Sequence, residues 1–264
     1  TIAFTQCMPN GMNGSLTYAQ VDALSDDFAA YLREVVGLAQ GDRVAVQMPN
    51  CLAYPIVAFG VFKAGLVLVN TNPLYTPTEM VHQFTDSGAK ALVVIDMFAD
   101  RLPEVLPKTG IETVVTVRIA EFFPPVIAGV IRMVQKYWNR TLPKVTVAHT
   151  TFQSALPAGR EKKTSDALTG YLTGIGHDTV AALQYTGGTT GVSKGAMLSH
   201  GNLVSNTLQM IQMCGGYMRP GVEVAMTALP LYHIFAFTVN LLGFYKLGAR
   251  NILVPSPRPP SNLK

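Results

Sequence analysis

With 264 residues, 48% of them hydrophobic and 14% charged, the chain is too apolar to be disordered and long enough to bury a sizeable core. Its net charge of +4 is too mild to indicate nucleic acid, and no nucleic-acid-binding pattern is present. Cys7, Cys51 and Cys214 lie far apart with no C-x-x-C, which argues against a disulfide framework or a zinc site and for a reducing compartment.

No signal-peptide pattern opens the chain, which starts Thr1-Ile2-Ala3-Phe4 and is expected to lack its true N-terminus. Thr17 reads as an N-cap. Tyr18, Val21, Leu24, Phe28, Leu32 and Val35 follow at helical spacing, and Gly37 to Gly41 ends that helix. Residues 43–48 read as a strand, 51–64 as a helix and 67–71 as a strand. A helix over 77–87 is capped by Thr76 or Thr78 and ends at Gly88. Ala91 to Ile95 and Thr113 to Val117 read as buried strands. Apolar strands alternating with helices predict layered α/β/α subdomains with mostly parallel sheets, whose strand-to-helix corners bind ligands.

Residues 122–138 carry a broad apolar stripe, from Phe123 and Val126 to Tyr137 and Trp138, beside the basic Arg132, Lys136 and Arg140. Two readings stay open: a helix packed on the sheet with a solvated face, or an interfacial helix lying on lipid. Residues 140–178 hold Pro143, Pro157, Gly159 and the run Arg160-Glu161-Lys162-Lys163, and read as a loose connection. The expected organisation is therefore a first α/β subdomain over 1–178, including the connection 140–178, and the start of a second over 179–264. There the pattern resumes with strands at 180–186 and 195–199, a helix at 201–213, a strand at 222–228, a helix at 232–247 and a strand at 250–254. The most apolar run, Ile234 to Tyr245, is short for a membrane span and reads as a buried helix. From Thr179 onward six Lys and Arg stand against one acid, which suits a polyanionic ligand.

The densest chemistry is Tyr185-Thr186-Gly187-Gly188-Thr189-Thr190-Gly191-Val192-Ser193-Lys194-Gly195. Glycines let backbone N–H groups curl around an anion, threonines add hydroxyl donors and lysine adds a mobile charge. That combination holds a polyphosphate. It is not the P-loop of ordinary NTPases, because Lys194 is followed by Gly195 rather than a hydroxyl residue. Gly191-Val192-Ser193-Lys194-Gly195 also matches the G-x-S-x-G of α/β-hydrolases. Glu223 and His233 keep that triad order formally open, although the run is long and threonine-rich for a tight elbow.

At these residues the chain resembles the adenylate-forming superfamily of acyl- and aryl-CoA synthetases, luciferases and peptide-synthetase adenylation domains. The stretch from Tyr185 to Leu203 looks most like bacterial long-chain fatty-acid–CoA ligases, with Ser193 where proline is common. Asn72-Pro73-Leu74-Tyr75-Thr76-Pro77 and Ala228-Leu229-Pro230-Leu231-Tyr232-His233-Ile234-Phe235-Ala236 resemble two further motifs of those ligases. The resemblance runs from about Thr17 to about Pro257. It implies activation of a fatty acid by ATP to an acyl-adenylate, with Mg²⁺ accompanying the nucleotide, and transfer of the acyl group to coenzyme A. It further implies that Thr186, Thr189 and Thr190 offer hydroxyls, that Gly187, Gly188 and Gly191 offer backbone N–H groups, and that Lys194 meets the β- and γ-phosphates. His233 is implied as the catalytic residue, binding the carboxylate or lining the route between nucleotide and acyl sites.

The magnesium-binding glutamate, the ribose-binding aspartate and the C-terminal lysine of that superfamily do not occur in these residues. The chain is therefore expected to be the N-terminal part of a longer enzyme, inactive alone. An aryl-CoA ligase, a fatty-acyl-AMP ligase and a non-catalytic nucleotide- or membrane-binding module remain alternatives, and a homodimer is left open. The expected location is cytoplasmic, with peripheral contact to the inner face of the membrane through 122–138.

Overall fold

The computed structural model describes residues 1–186 and 193–256. A β-hairpin opens the chain: β1 (Ile2–Cys7) pairs antiparallel with β2 (Asn13–Thr17). Thr17 then caps α1 (Tyr18–Ala30), its hydroxyl accepting from the Gln20 N–H while the Gln20 side chain accepts from the Thr17 N–H. This reciprocal capping satisfies two otherwise orphaned donors. π-Helical turns at Tyr31–Val35 prolong that helix. β3 (Arg43–Gln47), α2 (Ala53–Lys63) and β4 (Val67–Asn70) follow, then α3 (Pro77–Ser87), capped by Thr76 and closed by Gly88 at φ 61°. β5 (Ala89–Ile95), the short α4 (Leu102–Val105), β6 (Thr113–Val117) and α5 (Pro125–Met133) complete the first run.

The next elements are β7 (Thr150–Thr151), α6 (Phe152–Lys162), α7 (Ser165–Tyr171), β8 (Val180–Thr186) and β9 (Lys194–Ser199). Last come α8 (His200–Cys214), β10 (Val224–Thr227), α9 (Ile234–Ala236), prolonged by π-helical turns over Phe237–Phe244, and β11 (Arg250–Leu253). Among the described residues two sheets form. One has seven strands in the order β7-β6-β5-β3-β4-β8-β9, parallel except for β8–β9. The other has four, in the order β10-β11-β1-β2, parallel except for β1–β2. The mixed α/β class with mostly parallel sheets is borne out.

Two expectations need correction, and one element had no counterpart among them. The boundary at 178/179 does not divide the sheets: β8 pairs with β4 and extends the first sheet. Meanwhile β1 and β2, from the start of the chain, join β10 and β11. The hairpin before Thr17 was not expected from the sequence. The segment 140–178 is not merely a connection, since it contains β7, α6 and α7. Helix α6 lies so close to α1 that a Cβ on Gly159 would come within 1.9 Å of the Asp27 carbonyl oxygen. The fully buried Asp27 carboxylate takes Arg160 at 2.8 Å and Lys163 at 2.6 Å. The charges read as loop signals are therefore the docking groups of a packed helix. Around them the core gathers Phe28, Tyr54, Phe152 and Phe237, all fully buried.

Candidate functional site

Thr186 and Lys194, the last residue of β8 and the first of β9, stand directly opposite each other in the antiparallel register. Both are exposed. Directly paired residues of an antiparallel ladder lie about 4.5–5.5 Å apart at Cα, so a hydroxyl and an ammonium emerge together. β8 runs parallel to β4, and its C-terminal end is where ligands bind on such sheets. Gly187, Gly188, Thr189, Thr190 and Gly191 lie outside the described residues. Ser193 leads into an antiparallel strand and not into a helix, so the strand–turn–helix geometry of a hydrolase nucleophile elbow is absent there.

Behind Thr186, a buried polar network joins this hairpin to the stretch that carries His233. The Gln184 amide donates to the Tyr232 carbonyl at 2.9 Å and accepts from the Asn70 amide at 3.1 Å. The Tyr54 hydroxyl reaches Asn70 Oδ1 at 2.5 Å and the Leu231 carbonyl at 3.0 Å. Burial pushes the Tyr54 phenol well above its ordinary pKa, so it stays a donor. Asn50 donates to the carbonyls of Thr227 and Leu229, both at 2.9 Å, and accepts from the Leu231 N–H at 2.7 Å. Four polar side chains thus anchor residues 227–232 on the seven-stranded sheet. None of these four was singled out from the sequence; for Tyr54, Asn70 and Gln184 the signal was a polar group inside an otherwise apolar strand or helix, and Asn50 lies in the turn between β3 and α2.

His233 is exposed and caps α9, its Nδ1 accepting from the Phe235 N–H at 3.4 Å. A nitrogen that accepts carries no proton, so the proton of the neutral ring sits on Nε2, leaving a free donor. His200 has a different place. Ser199 caps α8, and the His200 ring stands edge-on to Phe62 with centroids 5.9 Å apart. Burial pushes the His200 pKa down.

Two cavities adjoin these elements. One, of about 410 Å³, is bounded by Phe59 and Phe62 on α2, Leu203, Val204 and Leu208 on α8, and Leu242 and Tyr245 beyond α9. Leu203 and Leu208 therefore line a cavity, whereas Met210 packs against Gly243. The other, of about 1070 Å³, lies where strand ends of both sheets converge, between Met8, Asn50, Leu74, Phe98, Leu229 and Tyr232. The α5 segment borders it through Val130, Ile131 and Val134. On its outer side Val126, Met133, Tyr137 and Trp138 are exposed, Trp138 at 86%. Among the described residues no helix is long and apolar enough to cross a membrane.

The sequence profile of the AMP-binding enzymes matches residues 2–264. The chain is 43% identical over 249 residues to a long-chain-fatty-acid–CoA ligase of Escherichia coli, covering 94% of this chain and 43% of that protein. The chain spans less than half the length of the curated relatives it matches. A crystal structure of a long-chain-fatty-acid–CoA ligase from Archaeoglobus fulgidus superposes with a TM-score of 0.74 at 23% identity, covering 99% of this chain and 45% of that one. ATP-bound MatB from Rhodopseudomonas palustris gives a TM-score of 0.67 at 25% identity, covering 97% and 42%.

Proposed function

The chain belongs to the AMP-binding enzyme family, and we propose that it forms the phosphate-binding part of an ATP-dependent long-chain fatty-acid–CoA ligase. The observation that carries this reading is the β8–β9 hairpin, which presents Thr186 opposite Lys194 and is tied through Gln184 to the turn before His233. The identity to long-chain-fatty-acid–CoA ligases over nearly the whole chain favours a fatty acid over an aryl acid.

In the first step a fatty carboxylate oxygen attacks the α-phosphorus of ATP. The bond from that phosphorus to the bridging oxygen breaks, and pyrophosphate leaves. Two anions must meet, so screening and alignment dominate the barrier. Lys194 supplies positive charge to the β- and γ-phosphates, Thr186 a hydroxyl, and residues 187–191 the remaining donors. Mg²⁺ bound to the nucleotide would add further screening of the phosphate charge. Among the described residues no group of three or more His, Cys, Asp or Glu is gathered to hold a metal, so none is assigned as a ligand. His233 donates through Nε2 to the fatty carboxylate. The thiol of coenzyme A then attacks the acyl carbon, and AMP leaves.

The acyl chain lies in the 410 Å³ cavity. Its α8 wall follows directly from β9, and its other walls are α2 and the helix that His233 caps. A second reading concerns location. The exposed stripe on α5 and its continuation, with Lys136 and Arg140 beside it, suits a cytoplasmic enzyme resting on an anionic membrane surface, from which fatty acids are drawn.

The test is palmitate-dependent exchange of pyrophosphate into ATP by the complete gene product. Lys194→Met is expected to lower kcat/KM for ATP by about 100-fold or more, the scale for removing a preorganised charge-stabilising donor. Absence of exchange with every acid from octanoate to oleate, or a Lys194→Met variant within twofold of the parent, overturns the reading.

A further inference from the structure

We propose that α3 is a strut fixing the β8–β9 hairpin from behind, and that His82 is a positioning residue for Lys194. The proposal rests on the reading of that hairpin as the phosphate site. His82 Nε2 lies 2.9 Å from the Ser193 carbonyl oxygen. A carbonyl only accepts, so Nε2 carries the proton. One turn further along α3, on the same face, Asp86 Oδ2 accepts from the Tyr185 hydroxyl at 2.5 Å. Ser193 and Tyr185 immediately precede Lys194 and Thr186. One helix face therefore holds the residue before each of the two site residues, across sequence separations of 111 and 99.

The seat for Tyr185 is built in. Its ring lies across its cross-strand partner Gly195, where a Cβ would come within 2.9 Å of two ring carbons. Burial and the bond to Asp86 push the phenol pKa up, so the hydroxyl remains a donor at neutral pH.

The strut is itself fixed at its base by the stretch Asn72 to Pro77. Asn72 Oδ1 accepts from the Leu74 N–H at 2.9 Å. Arg101 donates to the carbonyls of Pro73 and Tyr75 at 3.0 and 2.6 Å. Thr76 and Glu79 form a capping box, and the bonds from Thr76 hold the Glu79 carboxyl below its ordinary pKa. Along the helix Gln83 donates to the Asn70 carbonyl at 2.8 Å, while Met80 and Phe84 are fully buried. The role of residues 72–77 is thus to aim α3. A lysine ammonium sits on a flexible four-carbon stem, so the backbone that carries it decides where it reaches. A misplacement of about 1 Å can cost on the order of 100-fold in rate.

The experiment uses the complete gene product with His82→Leu, His82→Gln, Tyr185→Phe and, as a control on the site itself, Lys194→Met. Dissociation constants for MgATP are read by displacement of a fluorescent ATP analogue, beside KM for palmitate and the melting temperature. His82→Leu is expected to weaken MgATP about 5- to 10-fold, the scale of one lost hydrogen bond, with KM for palmitate within twofold. His82→Gln, whose amide can still donate, recovers most of that loss. Tyr185→Phe, which keeps the ring, weakens MgATP to a similar degree and decides the matter if His82→Leu does not fold. MgATP affinity within twofold for both His82→Leu and Tyr185→Phe, with Lys194→Met strongly impaired, overturns the strut and leaves the phosphate hairpin standing. A neutral Lys194→Met removes the hairpin reading and the strut with it. Equal losses toward ATP and palmitate, tracking a fall in melting temperature, assign α3 a purely structural role and also overturn the proposal.

Discussion

Replacing Gln184 by leucine tests the network that joins the β8–β9 hairpin to the His233 stretch. Gln184 is only 7% exposed. The substitution removes the donor to the Tyr232 carbonyl and the acceptor of the Asn70 amide. Leucine has a comparable volume, so the packing term is small and the orphaned groups dominate. Each buried polar group left without a partner costs about 1–3 kcal/mol. The Tyr232 carbonyl belongs to a half-buried residue and recovers part of its loss from water, which puts the total at about 2–4 kcal/mol. For a domain of this size 1 kcal/mol corresponds to about 2–4 °C, so the melting temperature should fall by roughly 5–15 °C. Gln184→Glu separates the two bonds, because its oxygen still accepts from Asn70 but no amide donates to Tyr232. A double-mutant cycle with Asn70→Leu sharpens the test: once the Asn70 donor is gone, losing Gln184 costs less, with a coupling on the order of 1 kcal/mol. Thermal denaturation followed by circular dichroism reads all four species. A fall below 2 °C for Gln184→Leu, or strict additivity in the cycle, refutes the network as the link between the two stretches.

Val204→Trp fills the 410 Å³ cavity from α8 and should lower kcat/KM for palmitate about 10-fold more than for octanoate; equal effects on both acids would remove that cavity as the acyl site. The Tyr18 and Tyr245 rings pack tilted by 36° with centroids 4.6 Å apart. Burial, then the charge of Tyr245, pushes the Tyr18 phenol up to about 12, and burial, then the charge of Asp22, does the same for Tyr245. Unfolded phenols ionise near pH 10, so the folded state holds these protons longer. Stability is unaffected below pH 10 and falls as pH rises from 10 to 12. Tyr18→Phe should flatten that fall, and an unchanged slope in alkaline denaturation contradicts the assignment. Trp138→Ser should weaken co-sedimentation with anionic liposomes about 10-fold, given the apolar area of one indole; unchanged binding removes α5 as the lipid-facing surface.

Local chemistry made much of the fold legible. The caps at Thr17 and Thr76, the Gly88 terminator and the β-branched runs of β3, β5 and β6 are decided within a few residues, and they stand where the sequence puts them. What failed was decided at a distance. Helix α6 contains Pro157 and a charge run, both loop signals, and it is helical because Gly159 lets it press on α1 and Asp27 receives its cations. The β1–β2 hairpin carried a turn signal in Asn10-Gly11, with Gly11 at φ 81°, but its alternation is too short to stand out without β11 beside β1. The partner of His82, the Ser193 carbonyl, is 111 residues away, beyond the reach of any local pattern.

The parallel topology and the buried polar network explain why three separate stretches converge. Asn72 follows the end of β4, Thr186 ends β8 and Ala228 follows β10. β4 and β8 are parallel neighbours in the seven-stranded sheet and deliver their C-terminal ends to one edge; β10 belongs to the other sheet, and the stretch after it is held there by the bonds from Gln184, Tyr54 and Asn50. Only two of them then need to touch a ligand. Thr186 and Lys194 are exposed, and His233 has a free donor, whereas residues 72–77 spend their polar groups on Arg101, on Glu79 and on one another. A stretch held by Arg101, by Gln47 on β3 and by the first turn of its own helix is fixed in place, and it fixes the helix that starts from it. The helix it aims ends against Tyr185 and Ser193, and this connects residues 72–77 to the hairpin proposed as the phosphate site.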